Sequence, residues 1–516
     1  MNKYTKKFIR HNQKIFDNTK ATQGNSIFLC EFNNMQSSHI AYSYLTNLYK
    51  KNMGANIYAY SLTIHTSKLR SALTNILFRL KEIFSFDVFA VYKSFGTKKF
   101  LRIKLKKNRQ KEAYRISRNI YKQVKSKKDV ENLIIEGIYL GDIIYDSYLR
   151  KFEKPTIDIR SISFQESLYQ NIIALLYWVD FFESNKVCGI SVSHCVYENA
   201  IPLRVAISKD IPSYQIGLTH FYKLNKERMF AYTDFHDYPE TFQTLSLSSR
   251  IKAKKEAKKR IEMRFSGKVG IDMSYSQKSA FGNVFEKPLL KKNNKIKILV
   301  AAHCFFDSPH SFGNNLFTDF YEWLSCLSKI SYQTDYDWYI KTHPDFIPQT
   351  RTIIENFVQK HEKFNLLPAE SSHHQIIEEG INFALTTYGT IGFEYAALNI
   401  PVINASVQNP HIAYNFNINP KNVDEYVSLL TNLHHVEHNI EIDEVYEYYY
   451  MRNIFFNENI FFENYKNILS KIGGYKKSFS PLIYQAWMKE LNFEKNKMLN
   501  KKLLKFVNSQ SFRYQG

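Results

Sequence analysis

Two stretches of this sequence end apolar, strand-like runs in side chains that can hold an anion. Trp338-Tyr-Ile-Lys-Thr-His-Pro344 closes on Lys341, His343 and Pro344. Ala384-Leu-Thr-Thr-Tyr-Gly-Thr390 closes on Thr386, Thr387, Gly389 and Thr390, just before a helical stretch that carries Glu394. In a parallel sheet, ligands collect beyond the carboxyl ends of the strands, so both ends should present polar groups on one edge. A helix start adds unpaired backbone N–H groups and a partial positive charge, which suits a phosphate. That dipole contributes only about 0.3–1 kcal/mol when exposed, so cationic side chains must supply the rest. His343 suits an oxygen that gains charge as it departs with a nucleotide. Plain alternatives are a simple N-cap turn for the threonines, a structural role for the histidine and an ordinary helix carboxylate for Glu394. Two matched strand ends favour the phosphate reading. The loop after the apolar run Ile296–Ala302 sets His303, Asp307 and His310 close together. An irregular loop fixes no metal geometry, so His303 is expected to line the donor site, ahead of structural hydrogen bonding or a metal site.

A group transfer also needs a base near the acceptor hydroxyl. Three places in the first half offer one: Glu31 with His39 after the run Ser26–Cys30, Asp142 in a Gly141-Asp142 turn, and His194 with Glu198 after Val187–Val192. Arg204 is a candidate contact for an anionic acceptor, with His39 and Glu198 beside it. Turns and caps are the usual alternative for each.

The Lys-x-His-Pro strand end, followed by a threonine-rich turn, Gly389-Thr-Ile-Gly-Phe-Glu394 and Pro401-Val-Ile403, resembles bacterial capsule-polysaccharide glycosyltransferases of the GT-B fold, the Kdo-transferase and polysialyltransferase-like group. The resemblance runs from Ile296 to Tyr426 and is loose before that. It implies nucleotide and phosphate contacts at His343-Pro344 and at Thr386, Thr387 and Thr390, and an acidic residue, Glu394, directed at donor hydroxyls. It also implies chemistry without a bound metal or cofactor, the nucleotide-sugar (CMP-linked as one candidate) being substrate. Asp142 is similar to an acidic-Gly motif of that group, with the order reversed. The Thr-Thr pair followed by Tyr388 departs from the group's Ser-Ser/Thr pattern.

The elements that must position these residues follow from length and periodicity. With 516 residues the chain exceeds the size at which one core stops growing, and 44% hydrophobic with 23% charged residues excludes disorder over most of it. Strand and helix patterns alternate throughout. The expected fold class is α/β: two Rossmann-like doubly wound domains facing a cleft, with the acceptor half at 1–290, the donor half at 291–474 after the polar linker Lys291–Lys295, and a basic helical tail at 475–516. Residues 65–130 read as helical and basic, and Arg250–Arg264 as a cationic, solvated helix. The net charge of +22 draws anions without choosing among them. Five scattered cysteines without a CxxC pair fit a reducing compartment. The polar N-terminus and the lack of a long apolar run argue against secretion and membrane spanning. The expectation is therefore a cytoplasmic glycosyltransferase, peripheral to the inner membrane face, with a nucleotide-sugar, an anionic glycan or lipid-linked acceptor and membrane phospholipid as partners. Alternatives are a polyol-phosphate transferase of the teichoic-acid type, a sugar-nucleotide epimerase, and a polyanion- or RNA-binding protein; no nucleic-acid-binding signature supports the last.

Overall fold

The computed structural model describes residues 1–16, 24–61, 68–273, 276–345, 347–456 and 459–515, with the side chains of 68–75 left out. The first few residues of the 65–130 expectation therefore lie outside the described residues. The chain forms two compact units: Met1–Ser147, Asp158–Ala231 and Asn457–Gly516 make the first, Tyr148–Ile157 and Tyr232–Phe456 the second.

The first unit holds β1 (Ile27–Glu31), β2 (Asn56–Ser61), β3 (Thr97–Arg102), a short antiparallel hairpin of β4 (Ile134–Ile135) and β5 (Ile138–Tyr139), β6 (Val187–Val192), β7 (Ser213–Ile216) and β8 (Phe221–Leu224). Its main sheet runs β3-β2-β1-β6-β7-β8, parallel except for the β7–β8 pair. The second unit holds β9 (Lys297–Ala302), β10 (Asp337–Thr342), β11 (Phe364–Leu366), β12 (Phe383–Thr386) and β13 (Val402–Asn404). They form a wholly parallel sheet in the order β11-β10-β9-β12-β13. Counted within each unit, both sheets follow the order 3-2-1-4-5, extended to a sixth strand in the first. This is the doubly wound Rossmann order, whose winding reverses beside the first strand. The expected α/β class with two such domains is present.

The domain boundaries differ from those expected. The cationic helix Leu247–Phe265 is not simply solvated: Ala253, Ala257 and Ile261 recur at the helical spacing of four and pack with Phe393, Tyr448 and Tyr449 in a core of the second unit. Small apolar residues on one stripe let that helix dock while its lysines face outward. The second unit accordingly begins near Tyr232, not at 291. The C-terminal segment is likewise no appendage. Phe461, Phe462, Tyr484, Trp487, Leu503 and Phe506 are buried in the same core as Phe8, Phe28 and Tyr44 of the first unit, and Tyr484 stacks on Phe8 with ring centres 4.1 Å apart.

Gly141-Asp142 opens the helix Gly141–Phe152 rather than forming a turn. A Cβ at Gly141 would sit 1.9 Å from the Glu131 carbonyl oxygen, so only glycine allows that helix start to lie against the preceding segment.

Candidate active site

In the second unit the winding reverses between β9 and β12, and ligands favour such a switch point. His303 lies just past β9 and Thr386 ends β12. The Thr386 hydroxyl oxygen accepts from the Gly389 N–H at 3.0 Å and stands 3.0 Å from His303 Nε2. The same Nε2 accepts from the Thr387 N–H at 3.2 Å. With Nε2 accepting, the neutral ring carries its proton on Nδ1 and the Thr386 hydroxyl donates. Burial lowers the His303 pKa to about 4, so the ring is neutral at pH 7. It stacks on Phe320, ring centres 4.7 Å apart. His303 thus fixes the turn after β12 through Nε2. Gly389 is required there, since a Cβ would fall 2.8 Å from Thr386 Oγ1.

That locked turn leaves one side chain unsatisfied. Thr387 is 2% exposed and its hydroxyl has no hydrogen-bond partner among the described residues. A buried polar group left unpaired costs about 1–3 kcal/mol, so a hydroxyl in this position is suited to a ligand.

Lys341 is the cation that matches it. On β10 it pairs with Ala301 of β9, one residue beyond the level at which Leu385 pairs with Val300. Lys341 and Thr386 therefore stand level on the sheet edge, two strands or about 10 Å apart. Lys341 is 3% exposed, and no hydrogen bond or ion pair to its ammonium occurs among the described residues. Burial lowers its pKa to about 8, against the raising influence of Glu394 and Glu370.

Two residues on, His343 keeps an exposed edge. Its Nδ1 accepts from the Asp345 N–H at 3.0 Å, which leaves Nε2 as the ring's proton donor. Desolvation lowers its pKa below the usual value; Glu394 and Asp345 pull it up, Lys341 and Arg264 down. Pro344 is buried behind it.

Glu394 is buried, and its Oε1 accepts from Arg264 Nε at 2.7 Å and pairs with Nη2 at 2.5 Å. This corrects the expected role toward donor hydroxyls: that oxygen is committed to a buried ion pair. His373, also buried, holds its Nδ1 2.8 Å from the Tyr395 hydroxyl, and burial followed by the charges of Lys341, His343 and Arg264 pushes its pKa well down. Lys341, His343, His373 and Arg264 thus surround a single strand end. Arg264 and His373 were not legible as site residues, because they lie on helices and not at the polar strand ends. Thr390, half-buried, is the N-cap of Ile391–Ala397 without a side-chain cap bond. That helix has only seven residues, so its dipole contributes less than the sequence suggested.

The first unit has the same reversal between β1 and β6, and several expected catalytic groups gather there in structural roles. Glu31 Oε2 accepts from the Ser193 N–H and hydroxyl, both at 2.7 Å, and from Tyr42 at 3.0 Å, while Oε1 accepts from Asn199 at 3.2 Å. A carboxylate so fully engaged ties β1 to the residues that follow β6. His39 is fully buried, with Nε2 2.9 Å from the Asn33 carbonyl and Nδ1 on the Tyr484 hydroxyl. Burial brings its pKa to about 4, so it joins two helices and does not reach an acceptor.

Asp142 and Arg204, expected separately as base and acceptor contact, bind each other: Arg204 Nη2 stands 2.5 Å from Asp142 Oδ2 with both side chains buried. Arg204 also lies over Phe230 at 4.9 Å and Tyr139 at 5.6 Å. Of the proposed bases, His194 alone is exposed, at the end of β6; Glu198 is half-buried and opens a short 3-10 turn, without a hydrogen bond between the two. Among the described residues no three metal-ligating side chains converge at His303–His310 or elsewhere.

No family model matches the chain, and no curated protein does. Among solved structures it is similar to the KpsC beta Kdo 2,4 transferase of Thermosulfurimonas dismutans, at 11% identity over 51% of this chain and 79% of that one, with a TM-score of 0.32. It is also similar to the UDP-GlcNAc 2-epimerase of Neisseria meningitidis, at 10% identity over 82% and 97% of the two chains, TM-score 0.20. A third match is UGT71G1 of Medicago truncatula, solved with UDP-glucose, at 7% identity over 94% and 99%, TM-score 0.20. At these values the matches add no weight to what the residues themselves indicate about ligand or reaction.

Proposed function

We propose that this chain is a glycosyltransferase that moves a sugar from a nucleotide-activated donor to a surface polysaccharide or glycolipid acceptor, with the donor phosphate held in the second unit. One observation carries the reading. A buried lysine and a buried threonine hydroxyl, neither with a polar partner among the described residues, lie at the ends of β10 and β12, the strands on either side of β9 at the sheet's switch point. Each is costly alone, and one phosphate group would offset both.

In this reading Lys341 balances the phosphate charge and the Thr387 hydroxyl donates to a phosphate oxygen. His343 donates its Nε2 proton in a hydrogen bond to the oxygen on which charge collects as the sugar–oxygen bond breaks. Its neutral ring is suited to donation without charge at pH 7. His194 is the proposed base that takes the acceptor hydroxyl's proton. The resemblance of Lys341-Thr-His-Pro344 and Thr386–Glu394 to capsule-polysaccharide transferases supports a nucleotide-sugar, with CMP-linked donors first among those to assay.

Thr387→Val removes the hydroxyl at nearly constant volume. It should raise the donor KM roughly three- to tenfold, the worth of one hydrogen bond, while thermal stability stays level or rises. Thr387→Ser should restore the wild-type KM. An unchanged KM in the valine variant would remove Thr387 from the donor site. Turnover of CDP-glycerol but not of nucleotide-sugars would replace sugar transfer by polyol-phosphate transfer.

A further inference from the structure

From Ile76 onward, the helix Lys68–Ile83 in the first unit meets its unit with one side and leaves an apolar side exposed among the described residues. Phe78 is its anchor, 4.9 Å from Phe89 and 6.1 Å from Phe32 between ring centres, with the Arg102 guanidinium 4.8 Å over its ring. Ile76, Leu77, Leu80 and Ile83, with Phe84 and Phe86 just beyond the helix, are between 44% and 68% exposed. At about 100° per residue, positions 76, 77, 80 and 83 share one arc of the helix, continued by 84, and Phe78 lies nearly opposite. The stripe therefore points away from the unit that Phe78 holds. Large apolar groups scattered singly need no explanation, but a contiguous patch of six, Ile76 to Phe86, marks a surface with a partner.

The charges around the stripe identify that partner. Arg79 and Lys81 are exposed, one on each flank of the arc. The edge strand β3, which carries Arg102 against Phe78, adds exposed Lys98 and Lys99, and Lys104, Lys106 and Lys107 follow it. The acidic groups nearby are few: Glu82 is half-buried on the Phe78 side, and Asp87 lies beyond the helix, 3.9 Å from the N-terminal amine. A second copy of the same face would set these cations against one another. Anionic lipid headgroups would complement them, while the apolar stripe enters the acyl boundary, which is the arrangement of an interfacial helix.

We propose that the Ile76–Phe86 face docks the chain on a bilayer containing anionic phospholipid, the helix lying in the interface with Arg79 and Lys81 at headgroup level. The proposal concerns a different unit from the donor site and stands whether or not the sugar-transfer reading does.

Co-sedimentation of the full chain with phosphatidylcholine vesicles, with and without phosphatidylglycerol, tests it. The wild type should pellet with the phosphatidylglycerol vesicles and be released by salt. Ile83→Asp with Phe84→Asp should lower the partition coefficient at least about tenfold through lost apolar burial. Arg79→Glu with Lys81→Glu should lower it by a similar factor in anionic vesicles only. Because all four side chains are exposed, melting temperatures should not change, and nucleotide-induced thermal shifts should be retained. Failure of the wild type to bind anionic vesicles at low salt, or equal binding by the aspartate variant, would overturn the proposal. So would concentration-dependent self-association lost in that variant without vesicle binding, which would make this face a contact between copies.

Discussion

His343→Ala is expected to lower sugar transfer by about 10²–10³-fold, the usual loss when one donor to a developing oxyanion is removed. The ring is exposed at its edge, and its one hydrogen bond among the described residues is from the Asp345 N–H to Nδ1. Folding should therefore change little, and equal melting temperatures for variant and wild type are part of the prediction. The loss should appear in kcat, because the Nε2 donor acts on charge that develops only as the leaving oxygen separates. His343→Gln, which keeps a donor near the same reach, should recover part of the rate. Wild-type turnover in the alanine variant would sink the assignment of the leaving-group site.

The second large effect concerns stability. Arg264→Met leaves the Glu394 carboxylate buried without its guanidinium, with the native side chains 11% and 4% exposed. Breaking a buried pair by deleting one partner costs about 3–5 kcal/mol, because the remaining charge stays desolvated. Urea unfolding should show that loss, and adding Glu394→Leu to Arg264→Met should recover much of it, since an apolar pair of similar volume is often neutral. A single-variant loss below about 1 kcal/mol would mean that the pair is solvated in solution. Lys341 makes a second readout available. Without Arg264, Glu394 would be left to Lys341, and the donor site would lose the cation proposed to bind phosphate.

The strand ends that frame the donor site were legible because buried parallel strands read as short apolar runs and their last residues are polar by contrast. Lys341, His343, Thr386 and Thr387 came directly from that pattern. The stretch between 65 and 130 was harder. β3, Thr97-Lys-Lys-Phe-Leu-Arg102, is an edge strand whose exposed Lys98 and Lys99 discourage further pairing, and in sequence those lysines look like part of a basic helix. The cationic helix Leu247–Phe265 and the C-terminal segment were misplaced for a related reason. Their charge dominates composition, while docking depends on a few alanines and aromatics at helical spacing.

The first-unit site was less legible still. Residue type and strand-end position selected Glu31, His39, Asp142 and Arg204, but those features do not reveal bonding partners. All four bind neighbours no sequence pattern indicates: Ser193 and Tyr42 for Glu31, Tyr484 for His39, and each other for Asp142 and Arg204. Polar groups at a switch point serve to close a sheet as readily as to hold a ligand.

The central claim is that Lys341 and the Thr386–Thr390 turn hold a nucleotide phosphate, and a thermal-shift titration with CMP, CDP, UDP and GDP tests it most directly. A ligand bound only by the folded chain stabilises it by about 2.7 kcal/mol at one hundred times its Kd. At least one nucleotide should raise the melting temperature of the wild type and fail to raise that of Lys341→Met. Binding requires the charged ammonium, whose pKa in the free chain is about 8, so the effect should be full below that pH and decline above it. A wild type that no nucleotide stabilises, or a Lys341→Met variant stabilised as much as the wild type at every pH, would contradict the assignment.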